Sequence, residues 1–152
     1  MNPTNEKKST TMSGQLFAPC GINCGVCVSY LRKHKPCAGC LQVINGKLPH
    51  PMCKIRFCVH GHDILHCFEC KTFPCERIKH LDLRYRKNYG ISLILNSLAV
   101  KENGVETFME REARKWECPS CHERLSIHLP NCWNCQQPNP FFPSPKNAGK
   151  TN

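Results

Sequence analysis

Residues 116–135 read WECPSCHERLSIHLPNCWNC. Cys118-x2-Cys121 and Cys132-x2-Cys135 stand ten residues apart. Each C-x2-C lets a tight turn aim two thiolates at one ion, and two such turns complete a tetrahedron. Four thiolates close the coordination sphere, so such a site holds a fold rather than performing chemistry. Zn²⁺ suits it, and a rubredoxin-like iron site shares the geometry. Between the pairs, Leu125, Ile127 and Leu129 alternate with other residues. That period predicts a zinc-ribbon-like hairpin over 118–137.

Upstream, residues 76–117 contain no cysteine and carry three helical stripes. The first is Ile78, Leu81, Tyr85 and Tyr89, stopped by Gly90. The second is Ile91, Ile94, Leu95, Leu98 and Ala99, stopped at Asn103-Gly104. The third is Val105, Phe108, Met109, Ala113 and Trp116. Amphipathic faces exist mainly to be buried, so all three are read as core.

Residues 15–75 hold the other ten of the chain's 14 cysteines, with scattered glycine and proline and no long apolar period. They are Cys20, Cys24, Cys27, Cys37, Cys40, Cys53, Cys58, Cys67, Cys70 and Cys75. Cys24-x2-Cys27 and Cys37-x2-Cys40 repeat the C-terminal logic. Cys67 and Cys70 pair with two of Cys53, Cys58 and Cys75. Ten does not divide by four, so two thiols are spare or bridge neighbouring metals. His60, His62 and His66 are further donors, more simply read as solvated or as neighbours of ligands. Cys20, Cys24 and Cys27 also match the C-x3-C-x2-C spacing by which radical S-adenosylmethionine enzymes hold an iron–sulfur cluster. Those enzymes need a large β/α barrel, which 152 residues with few strand signals do not supply. A [4Fe–4S] centre without that barrel is the alternative to zinc in this module.

The expected organisation is a loose leader at 1–14, the cysteine-rich module at 15–75 and a helical segment packed on it at 76–117. The knuckles follow at 118–137, then a Pro-rich tail at 138–152, disordered or serving as an extended docking segment. The fold class is a small metal-stabilised α+β: irregular at the N-terminal module, helical in the middle, a hairpin at the end.

The N-terminus lacks the apolar stretch of a secretory signal, and the most apolar run, ISLILNSLAV at 91–100, is too short to span a bilayer. A cytoplasmic protein with no membrane partner follows. In that reducing compartment dense thiols bind metal more often than they form disulfides. The formal charge is +10. A zinc ion with four thiolates sums to −2, so three such sites would leave about +4. Much of the basicity therefore offsets the metal centres. No acidic residue lies between Glu6 and Asp63, an interval holding eight lysines and arginines and seven cysteines.

The motifs CGINCGVCVSY (20–30), CAGC (37–40), CKIRFC (53–58), HCFECKTFPCERI (66–78), YRKNYGISLILNSLAVKENGVETF (85–108) and the terminal knuckles occur in a specific order. In that order the chain resembles a family of small cysteine-rich proteins of unknown function, frequent in anaerobic bacteria and archaea. The resemblance covers roughly 20–135 and implies that Cys20 to Cys75 are metal ligands. It implies no reaction. One departure is visible: family knuckles usually read C-P-x-C-G, and His122 stands here where glycine is usual.

The chain carries no phosphate loop, dinucleotide fingerprint, zincin motif or nucleophile elbow. No catalytic residue is named. A cysteine outside the metal sites, Cys20 or Cys75, is the one candidate nucleophile or redox sensor, with no base placed beside it. The expected function is a zinc-organised binding, scaffold or regulatory module. An iron–sulfur electron-transfer protein is the first alternative. A nucleic-acid-binding ribbon using RKHK at 32–35 and RYRK at 84–87 is the second.

Overall fold

Local signals set the three long helices. The computed structural model describes residues 12–144, with helices α1 (Val28–Leu31), α2 (Lys54–Gly61), α3 (Glu76–Tyr89), α4 (Leu93–Asn103) and α5 (Val105–Lys115). Glu76 in the first turn of α3 and Arg86 and Lys87 in its last turn complement the helix dipole. Gly90 closes that helix in the left-handed region, at φ 68°. Ser92 caps α4, its hydroxyl accepting from the Leu95 N–H at 3.1 Å. All three helices fall where the sequence stripes place them. The helix α4 packs against both α3 and α5.

The face that α4 buries is not the expected one. Leu93, Ser97 and Val100 are buried, whereas Leu95 is 66% and Leu98 44% exposed. The reason lies in the opposing loop. A Cβ on Gly21 would stand 2.4 Å from the Leu93 carbonyl oxygen and 2.7 Å from Ser97 Oγ. Backbone thus meets backbone over small residues, and the Asn96 amide donates to the Gly21 carbonyl at 3.0 Å. This close approach turns the Leu93–Ser97 side inward and the leucine pair outward.

The described residues contain no strand, so the expected hairpin is not formed. Four isolated antiparallel bridges are present: Phe17 with Asn23, Ile44 with Lys47, Glu117 with Arg124 and Asn131 with Pro138. Leu125, Ser126 and Ile127 are buried consecutively, which destroys the alternation a half-exposed hairpin needs. Instead the segment threads into the body. The Ile127 N–H donates to the Val26 carbonyl at 3.0 Å. The Val28 N–H donates to His128 Nδ1 at 3.3 Å. The described architecture is mostly helical.

The core runs through the whole described chain, joining Phe17, Val26, Ile78, Leu93, Met109, Trp116 and Leu125. Phe17 meets Phe108 edge-on at 5.3 Å. One carboxyl enters this core: Glu112 is 8% exposed, accepts from Trp116 Nε1 at 2.6 Å, and is held above the usual carboxylate range by burial.

Most of the expected leader, residues 1–11, lies outside the described residues, but Met12 is buried and Ser13 caps a 3-10 turn over Gly14–Leu16. The expected tail begins later than 138. Asn139 is 5% exposed, and its amide donates to the carbonyls of Ser126 at 2.9 Å and Leu129 at 3.0 Å. The Phe141 ring packs on Trp116 at 5.1 Å. Buried polar partners and an aromatic contact thus hold residues 138–142 on the body. Residues 145–152 lie outside the described residues.

Candidate metal centre

Two near-identical loops build the C-terminal site. In the first, the Cys118 N–H donates to the Glu123 carbonyl at 2.8 Å and the His122 N–H to the Cys118 carbonyl at 2.9 Å. In the second, the Cys132 N–H donates to the Gln137 carbonyl at 2.8 Å and the Gln136 N–H to the Cys132 carbonyl at 2.9 Å. His122 and Gln136 both sit at φ 63°, just after the second cysteine of each loop. This left-handed turn folds each loop back so that both thiols project the same way. It also explains why glycine is usual at position 122 in the resembling sequences: glycine reaches that conformation without steric cost.

The four sulfurs converge. Cys118 and Cys135 are 3.6 Å apart, as are Cys121 and Cys132. All four ligand atoms lie within 4.8 Å of one another. A disulfide needs about 2.05 Å, so these are not bonded pairs. Tetrahedral bonds of about 2.3 Å put the sulfurs about 3.8 Å apart, so the donor set fits one thiolate-bound ion. Cys118 and Cys132 are buried and Cys121 and Cys135 half-buried, so one edge of the cluster faces solvent. The Asn134 side chain, the Glu123 N–H and the neighbouring thiols lower Cys121 to about 6. At Cys135 the Gln137 N–H acts downward, but burial and the three facing thiols push it up to about 12. The cluster therefore begins with a ready thiolate at Cys121, the form a metal requires.

The N-terminal thiols gather differently. Among the described residues, only the C-terminal four bring all their ligand atoms within 4.8 Å. A hydrogen bond from the Cys67 N–H to the Pro19 carbonyl, 2.9 Å, sets Cys67 beside Cys20. Cys67 has Cys75, Cys58, Cys70 and Cys53 as electrostatic neighbours, and Cys20 has Cys40, Cys67 and Cys53. Cys24 and Cys40 touch: the Cys40 N–H donates to Cys24 Sγ at 3.4 Å. Cys37 Sγ accepts from the Gly39 N–H at 3.5 Å. Cys27 caps α1, and Tyr85 of α3 has it and Cys20 as electrostatic neighbours.

Of the two candidate nucleophiles, Cys20 is buried and its thiol is raised by desolvation, the reverse of thiolate activation. Cys75 occupies the N-cap of α3 and makes no capping bond. Among the histidines, His62 Nδ1 lies 3.8 Å from Cys58 Sγ and 2.7 Å from the Cys58 carbonyl. His66 stacks on Phe68 at 5.1 Å, its Nε2 is buried without a hydrogen-bond partner, and burial lowers its pKa. His60 is exposed on the wall of a cavity of about 370 Å³ whose other lining includes Leu48, His50, Arg56, Phe57 and Leu65. Sequence reasoning passed over His50. The available signal was its place in LPHPMC, where two prolines fix the backbone around a donor.

A family model described as "Protein of unknown function (DUF3795)" matches residues 16–80. That stretch contains all ten N-terminal cysteines and ends inside α3, and the C-terminal four lie beyond it. No curated protein and no solved structure matches the chain. No helix among the described residues is long and apolar enough to cross a membrane.

Proposed function

We propose that this chain is a small cytosolic binding or regulatory module cross-linked by structural metal, zinc in preference to iron. One observation carries the reading: four sulfurs, paired at 3.6 Å, at the spacing of a single tetrahedral ion. Four thiolates leave no open position for a substrate or water, so an ion there stabilises rather than reacts. Zinc is preferred because a closed all-thiolate tetrahedron with no redox demand is its commonest structural role. The ten N-terminal thiols supply further sites. The crowding of four thiols around Cys67 supports a [4Fe–4S] centre as the competing content of that module.

The face that would do the binding lies over residues 43–65. Val43, Ile44, Leu48, Met52, Phe57 and Leu65 are all exposed there. Lys47, Lys54 and Arg56 intersperse them without a nearby acid in sequence. An apolar surface with a positive rim fits a protein partner carrying apolar residues among carboxylates better than a phosphate backbone. Metal analysis on protein purified without oxygen tests the core claim. A colourless protein holding zinc, with one ion fewer in Cys132→Ser, is expected. A brown protein with a broad band near ~400 nm and stoichiometric iron would replace zinc by a cluster. A folded metal-free chain would end the reading altogether.

A further inference from the structure

The expected partner of Cys24, Cys37 and Cys40 was Cys27, completing a second four-cysteine site. The geometry points to a different fourth ligand: we propose that His50 joins Cys24, Cys37 and Cys40 in a Cys3His zinc site, leaving Cys27 outside it. This rests on the reading that the N-terminal module binds metal and assigns which residues do so.

Three thiols already surround Gly39. Its N–H points at Cys37 Sγ at 3.5 Å, and a Cβ built on it would lie 3.9 Å from the Cys24 Cβ. The next N–H, that of Cys40, points at Cys24 Sγ at 3.4 Å, and the Cys40 and Cys24 side chains hydrogen-bond. Backbone N–H groups aimed at sulfur stabilise thiolates, as charge-assisted acceptors. Gly39 has φ 107°, which lets the loop turn both Cys37 and Cys40 toward Cys24.

His50 approaches from the opposite side. Its Nε2 is 3.9 Å from Cys37 Sγ. A zinc ion with one sulfur at about 2.3 Å and one nitrogen at about 2.0 Å would set that pair about 3.6 Å apart. Little closure is therefore needed along that edge. The backbone around His50 is held for this purpose. His50 adopts the left-handed region at φ 50°, which a β-carbon disfavours. Its carbonyl accepts the Cys53 N–H at 3.0 Å, and the preceding Pro49 carbonyl accepts from the Arg56 guanidinium. The first turn of α2 thus grips both residues and holds the imidazole beside the thiols. Three thiolates and Zn²⁺ sum to −1, and Arg56 is the nearest cation acting on Cys40. The ring's exposure leaves a path by which an ion can enter.

Cys27 is set apart. It begins α1, and it is an electrostatic neighbour of Tyr85 on α3. No hydrogen bond described here joins its sulfur to Cys24, Cys37 or Cys40.

The test uses the full chain loaded with zinc without oxygen, with ions per chain counted by mass spectrometry. The sulfur-to-nitrogen ligand ratio is read by X-ray absorption. Cys27→Ser is expected to keep the wild-type ion count. His50→Ala and Cys37→Ser are each expected to lose one ion. His50→Cys guards against a mere folding defect: it should restore the ion and raise the sulfur count by one. If Cys27→Ser loses the ion and His50→Ala keeps it, the assignment of His50 is overturned while the module remains a metal site. If wild type holds a single ion and Cys132→Ser removes it, the N-terminal module binds no zinc and the underlying reading fails with the inference.

Discussion

Replacing Asp82 with alanine should uncouple α3 from α4. The carboxylate is 2% exposed. Its Oδ1 accepts from Ser92 Oγ at 2.8 Å and from the Ile94 N–H at 3.0 Å, and Oδ2 meets Arg86 Nε at 2.8 Å. It therefore satisfies one of the orphan N–H groups of α4 from outside that helix and also positions the Ser92 cap. One charge-assisted bond from a half-buried backbone N–H contributes about 1.5–3 kcal/mol, and a weakened cap about 1 kcal/mol. The pair with Arg86, whose side chain is 57% exposed, adds little. The expected loss for Asp82→Ala is about 3 kcal/mol, a factor of about 150 in the folding equilibrium. For a chain of this size that lowers the melting temperature by roughly 6–12 °C. Asp82→Asn keeps the shape and one acceptor and should lose about half as much. The pH dependence has a definite sign. Burial acts to raise the Asp82 pKa, but the Ile94 N–H, Ser92 and Arg86 outweigh it and hold the group below the usual carboxylate range. A depressed folded pKa contributes stability that is complete above the unfolded value of about 3.9 and lost as pH falls through the folded value. The gap between wild type and Asp82→Ala, read by circular dichroism in urea at equal metal loading, should hold steady above about pH 5 and narrow below about pH 4. Comparing the two proteins cancels the loss of metal in acid. A gap that widens toward low pH, or a cost below about 1 kcal/mol at neutral pH, would refute this account of the α3–α4 joint.

Leu93→Ala should cost about 3 kcal/mol because that side chain is 0% exposed, whereas Leu95→Ala at 66% exposure should stay within about 0.5 kcal/mol. Equal effects would mean that the other face of α4 is the buried one. His122→Gly should raise stability by about 0.5–1 kcal/mol, since glycine relieves the left-handed turn at φ 63°. The lost contact between His122 Nδ1 and Glu117 at 2.7 Å caps that gain, and a fall in melting temperature would show that this contact outweighs the turn. Stripping metal with a strong chelator should change the near-ultraviolet signal of Trp116, which is 1% exposed and two residues from Cys118. An unaltered spectrum from a verifiably metal-free chain would separate the ion from the packing.

Helix placement was legible because its signals are local. Gly90, Ser92 and Asn103-Gly104 punctuate the chain whatever lies around them. The buried side of α4 was not legible, because it depends on Gly21, some seventy residues earlier, permitting a backbone contact that counting apolar residues does not register. The C-terminal cysteines were readable as one cluster since both loops are self-contained. The segment between them was misread as a hairpin because Leu125, Ile127 and Leu129 alternate in sequence, while Ser126 is buried too, at 2% exposure, by contacts from elsewhere. The N-terminal grouping depends on which loops fold onto α2, and that is decided by bonds such as Cys53 to His50 that no spacing rule encodes.

The hydrogen bonds from Ile127 to Val26 and from Val28 to His128 have a consequence for how the chain is made. They join residues about a hundred positions apart, next to Cys24 and Cys27 on one side and between the two terminal loops on the other. A nascent chain emerges from the ribosome with its earliest thiols lacking the stretch that will cover them. Cation capture at the front of the molecule should therefore stay reversible until the final fifth has been translated, and a prematurely terminated product should compete poorly for scarce ions.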